Sequence, residues 1–372
     1  MKVNDMERTI KTKIENKDLE ETINQYFQAY KFCLDKGFEL HTSNKRKLHN
    51  ATYKQLRKTY PKMPSALLQT VRDVASENLK STKMKIKPNP KNKFIRFDKR
   101  TFSFKSGIVS VSTINGRKKF EVKMPQYFKK YLDWKCNSAV LVLKINQLWL
   151  NMIFKKDFVP IQPKTVLGLD RGISNIVVTS DNEFYSSKHL RNVKGRYQYL
   201  KSVLQAKGTP SAKRKLKRLS GKEKRFVRDV NHCISRQIAS KNYDCFAVEE
   251  LKNIRKPTNK GKKFNRKLSS WSFFQLENFL RYKAEEYGKT VLKVDPTHTS
   301  QMCSKCGYRE RTNRKGRIFK CKSCGFELDA DLNASRNIAK LGISELGRLN
   351  VNQPNVATEM LVTSPHSLEV GN

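Results

Sequence analysis

The organisation of this chain follows from residues 303–338, which read CSKCGYRERTNRKGRIFKCKSCGFELDADLNASRNI. The stretch contains two Cys-x2-Cys pairs, and a glycine follows each pair. The four thiols belong to Cys303, Cys306, Cys321 and Cys324. Four thiolates at this spacing suit a tetrahedral Zn²⁺ ion and leave no coordination position open for water. We therefore predict a structural zinc site rather than a catalytic one.

The segment after the second Cys-x2-Cys pair is predicted to begin a helix that runs to about Leu341. It opens with Asp329, Ala330 and Asp331. Asp331 lies where a carboxylate in the first turn would face inward. An aspartate in this place also serves as a plain N-cap, which is the alternative interpretation.

Two further carboxylates stand at the ends of predicted strands far upstream. Asp170 ends the apolar run of residues 166–170 within TVLGLDRG, and Glu249 ends the run of residues 244–249, DCFAVE. A carboxylate at the end of a buried strand is costly unless a cation or a hydrogen-bond donor meets it. The alternatives are an aspartate that caps a turn and a glutamate that is exposed at a strand end.

The charge of the chain predicts a polyanionic partner. Its 372 residues include 77 Lys and Arg against 33 Asp and Glu, a formal net charge of +44. A folded surface with this excess repels itself unless a polyanion neutralises it, and nucleic acid is the polyanion we expect. Residues 194–228 hold 13 Lys and Arg and one acid, Glu223, which predicts a phosphate-binding helical arm. Residues 252–267, with eight basic residues and no acid, are predicted to be a flexible loop.

The sequence argues against a membrane partner. It has no apolar run of about 18 residues, and its first residues have no apolar core of the signal-peptide type. We therefore expect a cytoplasmic protein.

The pattern of apolar residues predicts the rest of the organisation. Residues 17–85 show helical spacing, which predicts one helix from Lys17 to about Gly37 and a second that starts at Pro64. Residues 86–158 alternate as in an antiparallel β-barrel or sandwich, with a hairpin turn at Asn115-Gly116. From residue 165 onward strands alternate with helices, which favours an α/β core. From residue 343 the composition indicates a disordered tail.

The three carboxylates together predict a hydrolytic chemistry. Phosphodiester hydrolysis with two Mg²⁺ ions requires several carboxylates around metals about 4 Å apart, and Mg²⁺ prefers oxygen ligands. We expect Asp170 and Glu249 to end adjacent strands of one sheet and Asp331 to open a helix packed beside it. The basic surface would then hold the polyanion that these carboxylates cut.

The motifs GLDRGISNIVV, FAVEEL, KVDPTHTSQMCSKCG and CKSCGFELDADLNASRNI occur in this order and resemble the three RuvC motifs and the zinc ribbon of the TnpB family. TnpB proteins are nucleases carried by insertion sequences and are related to type V CRISPR effectors. The resemblance is specific over about residues 160–342. It rests on general layout before that segment.

The resemblance implies a role for each candidate residue. Asp170, Glu249 and Asp331 match the catalytic acids of the family, which bind magnesium. Their acidic neighbours Glu250 and Asp329 do not match. The four cysteines match the zinc ligands.

The resemblance also implies an RNA-guided DNA endonuclease encoded by a transposable element, which cuts beside a short target-adjacent motif. Its cofactors would be a structural Zn²⁺ and two catalytic Mg²⁺ ions. Its partners would be a guide RNA from the transposon end, the double-stranded target DNA and its displaced strand, near the nucleoid of a prokaryotic host. Sequence would be recognised largely by base pairing. Two alternatives remain: a nuclease-inactive guided DNA-binding regulator, and a protein-only transposase or recombinase accessory.

The fold implied by the resemblance is multidomain α+β. An N-terminal β-barrel wedge domain with a helical recognition insertion would precede an RNase H-like (RuvC) α/β nuclease domain with an inserted zinc ribbon. The predicted bounds are 1–16 for the first wedge strand, 17–85 for the recognition domain, 86–160 for the wedge barrel, 161–298 for the nuclease domain with its first two motifs, 299–328 for the target-nucleic-acid-binding zinc ribbon, 329–342 for the third-motif helix and 343–372 for the disordered tail.

Overall fold

The computed structural model describes residues 4–15, 18–158, 161–251 and 261–351. The chain divides into two compact units, residues 1–158 and 159–372. Most of the predicted disordered tail lies outside the described residues. In the described part of the chain, no helix combines the length and the apolar character that are needed to cross a membrane.

The described part of the first unit contains seven strands and three α-helices, together with a short 3₁₀ helix at Gln126–Tyr131. In chain order they are β1 (Asn4–Ile14), α1 (Asp18–Glu39), α2 (Lys45–Thr59), α3 (Ser65–Ser81), β2 (Lys93–Phe97), β3 (Phe102–Lys105), β4 (Ile108–Thr113), β5 (Gly116–Glu121), β6 (Lys135–Lys144) and β7 (Gln147–Phe158). They form one four-stranded sheet in the order β1-β7-β6-β2 and one three-stranded sheet in the order β3-β4-β5. Every strand pair in both sheets is antiparallel.

The predicted closed β-barrel is not found among the described residues. Hydrogen bonding stops at β1 and β2 in the larger sheet and at β3 and β5 in the smaller one. Side chains from both sheets and from the helices share one core instead, in which Tyr26, Phe102 and Phe154 are fully buried. Because α1 and α3 pack against β2, the helices cover apolar surface that a closed barrel would cover with strands.

The helical part of this unit contains one helix more than the sequence pattern indicated. α1 and α3 lie where helical spacing predicted them, but α2 was not predicted. The Asn44 side chain caps α2 by accepting hydrogen bonds from backbone amides of its first turn. Only Leu48, Thr52 and Leu56 are buried along this helix. A narrow apolar stripe in a lysine-rich segment gives a weak periodic signal.

The second unit is built around one mixed sheet. Its elements are β8 (Val166–Asp170), β9 (Asn175–Thr179), β10 (Phe184–Ser186), α4 (Lys188–Lys207), α5 (Pro210–Ala239), β11 (Cys245–Glu249), α6 (Gly261–Ser269), α7 (Phe273–Glu286), β12 (Thr290–Val294), β13 (Arg314–Lys315), β14 (Ile318–Lys320), β15 (Glu327–Asp329) and α8 (Ala330–Val351). Five strands pair in the order β10-β9-β8-β11-β12. β8, β11 and β12 are parallel, whereas β9 and β10 are antiparallel to their neighbours.

Helices cover both faces of this sheet, so alternate residues of each strand meet different helices. Leu167 and Leu169 of β8 and Phe246 of β11 pack with α5 and α7. Val166 and Ala247 share a second core with Ile338 of α8. The α8 side of the sheet is therefore the side that receives the last residue of β8 and of β11.

α8 lies directly on β8. A Cβ atom added at Gly168 would lie 2.0 Å from the carbonyl oxygen of Ser335 and 2.5 Å from the amide nitrogen of Ala339. Only glycine permits an approach this close. The helix runs ten residues past the predicted end at Leu341, to Val351, so the segment predicted to be disordered begins as helix. Part of the predicted flexible loop is also helical, as α6.

Candidate active site

The structure places Asp170 and Glu249 side by side at one edge of the sheet. Asp170 is the last residue of β8 and Glu249 the last residue of β11, and these parallel strands pair directly, with Leu169 opposite Val248. Side-chain alternation turns both carboxylates toward α8. Both residues are half-buried.

Asp331 lies in the first turn of α8, the helix packed on β8. Its two carboxylate oxygens accept hydrogen bonds from Asn175 Nδ2 at 3.1 Å and from an Arg314 guanidinium nitrogen at 3.0 Å. The plain N-cap role belongs to Asp329, whose Oδ1 accepts from the amides of Asp331 and Leu332 at 2.9 and 3.3 Å. Asp331 is therefore available for another role.

The carboxylates of Glu249 and Asp331 lie close enough to Asp170 for their charges to affect its pKa. Burial, followed by the negative charges of Glu249 and Asp331, raises the pKa of Asp170 to about 8, against the opposing charges of Arg314 and Arg171. Burial also raises the pKa of Glu249, while a hydrogen bond from Thr299 and the same two arginines oppose the rise. The charges of Glu249 and Asp331 raise the pKa of Asp170 because all three carboxylates lie in one region of low dielectric constant.

The carboxylates do not form a tight ligand set. In the described part of the chain, the four cysteines are the group of three or more His, Cys, Asp and Glu side chains whose ligand atoms all lie within 4.8 Å of one another. Like charges repel, so the carboxylates turn to nearby donors: Thr299 Oγ1 donates to Glu249 Oε1 at 2.5 Å, and Asn175 donates to Asp331. Carboxylate oxygens from three elements at one edge are nevertheless the donor chemistry that suits Mg²⁺.

Four contributors to this site were not predicted from the sequence. Arg314 comes from β13, between the two cysteine pairs, Thr299 from the segment before them, and Asn175 from the start of β9. Arg171 donates to the carbonyl oxygen of Glu249 at 2.5 Å. Asn175 and Arg171 stand in the motif GLDRGISN, so their proximity to Asp170 was a usable signal. Thr299 stands in the motif KVDPTHTSQMCSKCG, which was a similar signal, whereas nothing in the local sequence around Arg314 indicates its contact with Asp331.

The predicted metal site at the four cysteines has the geometry that zinc requires. Sγ of Cys303 lies 3.8 Å from Sγ of Cys324, and Sγ of Cys306 lies 3.6 Å from Sγ of Cys321. A tetrahedron with Zn–S bonds of about 2.3 Å has edges of about 3.8 Å. The donor set therefore fits a closed structural Zn²⁺ site.

Glycines and a small core shape this ribbon. Gly307 and Gly325, which follow the cysteine pairs, have φ values of +80° and +69°, as the chain needs where it turns back toward the thiols. The strands β13, β14 and β15 form a three-stranded sheet, and Phe319 is fully buried against Cys303 and Cys321. Because α8 begins directly after β15, the ribbon leads the chain into Asp331.

Two protein-family profiles match the second unit. The profile described as "Cas12f1-like, TNB domain" matches residues 273–338, which include the four cysteines and Asp331. The profile described as "Probable transposase" matches residues 156–260, which include Asp170 and Glu249.

Three relatives are similar to parts of the chain. The CRISPR-associated endodeoxyribonuclease Cas12f1 of Sulfoacidibacillus thermotolerans is 40% identical over 136 residues, 35% of this chain and 31% of that protein. The TnpB-like protein MJ0751 of Methanocaldococcus jannaschii is 31% identical over 219 residues, 57% of this chain and 72% of that protein. The putative RNA-guided DNA endonuclease InsQ of Escherichia coli is 28% identical over 208 residues, 49% of this chain and 50% of that protein. The chain thus spans about a third of the length of Cas12f1 relatives that it matches, 31% and 37% in two cases.

A solved structure shows the same fold. The cryo-EM structure of a Cas12f1–sgRNA–target DNA complex is similar to 87% of this chain and 82% of that chain, with a TM-score of 0.64 and 17% identity. The fold is therefore a multidomain α+β fold similar to that of Cas12 effectors, with a four-cysteine ribbon. The extent of the match to the Methanocaldococcus protein shows the family: the chain belongs to the TnpB-like proteins.

Proposed function

We propose that the chain is an RNA-guided DNA endonuclease encoded by a transposable element, and that Asp170, Glu249 and Asp331 are its catalytic acids. The observation that carries the proposal is their placement: two carboxylates end paired parallel strands, and the third opens the helix packed on the same face. The names of the relatives, an endodeoxyribonuclease and a putative RNA-guided DNA endonuclease, support it. The mixed sheet supports an RNase H-like, RuvC-type nuclease domain.

The three acids would hold two Mg²⁺ ions, which when bound supply water activation and charge stabilisation for phosphodiester hydrolysis. The chain's own residues orient these acids. Thr299 fixes one oxygen of Glu249, and Asn175 and Arg314 each hold one oxygen of Asp331. Arg314, one-third exposed, also places a positive charge where a phosphate would approach.

Basic helices support binding of a guide RNA and target DNA. α4 has no buried residue. Residues 194–228, which lie in α4, α5 and the two residues between them, contain 13 Lys and Arg and a single acid. Such a surface neutralises phosphates without reading bases, so the guide would supply sequence recognition by pairing. We keep the proposed assignment of residues 17–85 to recognition and of residues 1–16 and 86–160 to the wedge.

The test is cleavage by the full chain, expressed together with DNA of the element's end so that its RNA co-purifies. A supercoiled plasmid that carries the matching target and a randomised flanking segment is added with Mg²⁺, and cut ends are sequenced. We expect cutting only beside one short flanking motif, lost when the target is mismatched. Guide-dependent binding without cutting would instead establish a nuclease-inactive regulator. Cutting that survives complete removal of RNA would establish a protein-only recombinase.

A further inference from the structure

A cavity of about 560 Å³ lies in the second unit, beside the turn that follows β8. Gly172 and Ile173 of that turn form one wall, and α4, α5 and residues 266–276 form the others. Binding sites for small ligands have volumes of about 300–1,000 Å³. The cavity is therefore large enough to hold one nucleotide.

The floor of the cavity is apolar and partly aromatic. Ile176, Phe273 and Leu276 line it and are only 5%, 8% and 3% exposed. Trp271 is half-buried beside them, with its ring centroid 5.0 Å from that of Phe273 and the rings tilted by 45°. A floor of this kind suits the flat face of a nucleobase, because every base stacks on aromatic rings.

The rim of the cavity is cationic. Of the described residues that line it, five are basic and one, Glu223, is acidic. The basic residues are Arg191, Lys194, Lys201, Arg266 and Lys267. Glu223 pairs with Lys201, and Lys194 donates to the carbonyl and hydroxyl oxygens of Ser270 at 2.7 and 3.0 Å. Arg191 and Lys267 are exposed, and their positive charges attract a phosphate and disfavour a neutral apolar ligand.

The cavity lies beside the turn that follows Asp170, on the α5 and α7 side of the sheet, whereas the carboxylates turn toward the α8 side. The turn in its wall joins β8, which ends at Asp170, to β9, which begins at Asn175. Arg171 in the same turn lies 5.9 Å from the centroid of the Phe273 ring. A DNA strand with one phosphate at Asp170 that passed over this turn would therefore bring a following nucleotide to the mouth of the cavity.

We propose that this cavity binds one unpaired nucleotide of the DNA strand that is to be cut, with its base on Trp271 and Phe273 and its phosphate at Arg191 and Lys267. The inference rests on the proposed nuclease function and adds a substrate subsite to it. Stacking and phosphate contacts do not distinguish sequences, so the subsite would anchor a strand of any sequence beside the scissile bond.

The test measures binding of fluorescein-labelled single-stranded hexathymidylate to the full chain by anisotropy, without Mg²⁺ so that no cutting occurs. Trp271→Ala should weaken binding by roughly 5- to 150-fold, the effect of losing one stacked base. The matched control is Phe274→Ala, which removes a 56% exposed aromatic side chain next to the cavity lining and should leave affinity unchanged. An oligonucleotide of the same length with abasic sites should bind as weakly to the wild type as hexathymidylate binds to Trp271→Ala.

Equal affinity of the abasic and intact oligonucleotides, or wild-type affinity of a folded Trp271→Ala variant, would overturn the proposal. If Trp271→Ala does not fold, the proposal is tested with Lys267→Gln, a substitution at an exposed residue. The slope of log affinity against log salt concentration should fall in magnitude by about 0.7, one phosphate contact to a single strand, and an unchanged slope overturns the proposal. Failure of this proposal can be told apart from failure of the nuclease function. A chain that cuts no DNA would still show base-dependent binding that Trp271→Ala weakens.

Discussion

Arg171 and Glu277 form an ion pair in the interior of the second unit, with Nη1 of Arg171 2.9 Å from Oε2 of Glu277 and side chains 2% and 3% exposed. The pair joins the turn after β8 to α7, and Arg171 also donates to the backbone carbonyl of Glu249. Glu277 also forms ion pairs with Arg281 and Lys293, whose nitrogens each lie 2.9 Å from its Oε1. Burial lowers the pKa of Arg171, and the charge of Glu277 is the largest effect that opposes this shift.

Breaking this pair from one side should destabilise the protein strongly. Arg171→Met leaves Glu277 buried with less compensation, and Glu277→Met removes the carboxylate that pairs with the buried guanidinium, so each variant should lose about 3–5 kcal/mol of unfolding free energy. The double variant should lose less than the sum, because two apolar side chains pack without an uncompensated charge. Urea unfolding of the four proteins measures the coupling. Strict additivity would show that the pair does not act as a unit.

Asp331 and Asp329 provide a matched comparison for the proposed catalytic role. Asp331→Asn should reduce DNA cleavage by roughly a hundredfold or more, the scale expected when a group that acts on the transition state is lost. Asp329→Asn keeps an oxygen that accepts the capping hydrogen bonds, and Asn caps about as well as Asp, so cleavage and thermal stability should stay near wild type. Single-turnover cleavage of a guide-matched duplex compares the activity of the two variants. Equal activity of the two variants would remove Asp331 from the active site.

The four-cysteine ribbon should bind about one zinc ion per chain, because four thiolates complete a tetrahedral site. Cys306→Ala should abolish this zinc, whereas Cys233→Ser, at an exposed cysteine outside the cluster, should not. Elemental analysis of the purified variants measures zinc content. Loss of zinc should also make the ribbon sensitive to protease, because the core around Phe319 is small. Full zinc occupancy in Cys306→Ala would contradict the assigned ligand set.

Gly168 should not tolerate a side chain. In Gly168→Ala the new Cβ meets backbone atoms of α8 at 2.0 and 2.5 Å, so the helix has to move away from β8. Overpacking of this kind costs about 1–3 kcal/mol, and the shift should also displace Asp331 and lower cleavage. Gly195→Ala is the control: this helical glycine of α4 has no atom within 4 Å of the new Cβ and should gain about 0.5–1 kcal/mol of stability. Thermal unfolding compares them, and an unaffected Gly168→Ala variant would refute the close contact.

The sequence predicted those structural elements that depend on the spacing of residues close together in the chain. The cysteine spacing predicted the four-cysteine cluster, and the apolar runs that end in Asp170 and Glu249 predicted two strands of the central sheet. α2 escaped prediction because its buried stripe is narrow. The full length of α8 was not predicted because its later turns contain Gly342 and Gly347, and glycine is a poor helix former.

The sequence by itself determined which four cysteines cluster, which strand ends carry carboxylates and that the chain is strongly basic, because ligand spacing, periodicity and charge are local properties. Only the tertiary structure decided that the first unit forms two open sheets, that Arg314 reaches Asp331, and that Arg171 meets Glu277 across 106 residues of chain. These outcomes depend on which surfaces pack together. Packing is set by the competition among all buried side chains and leaves no pattern at any one position.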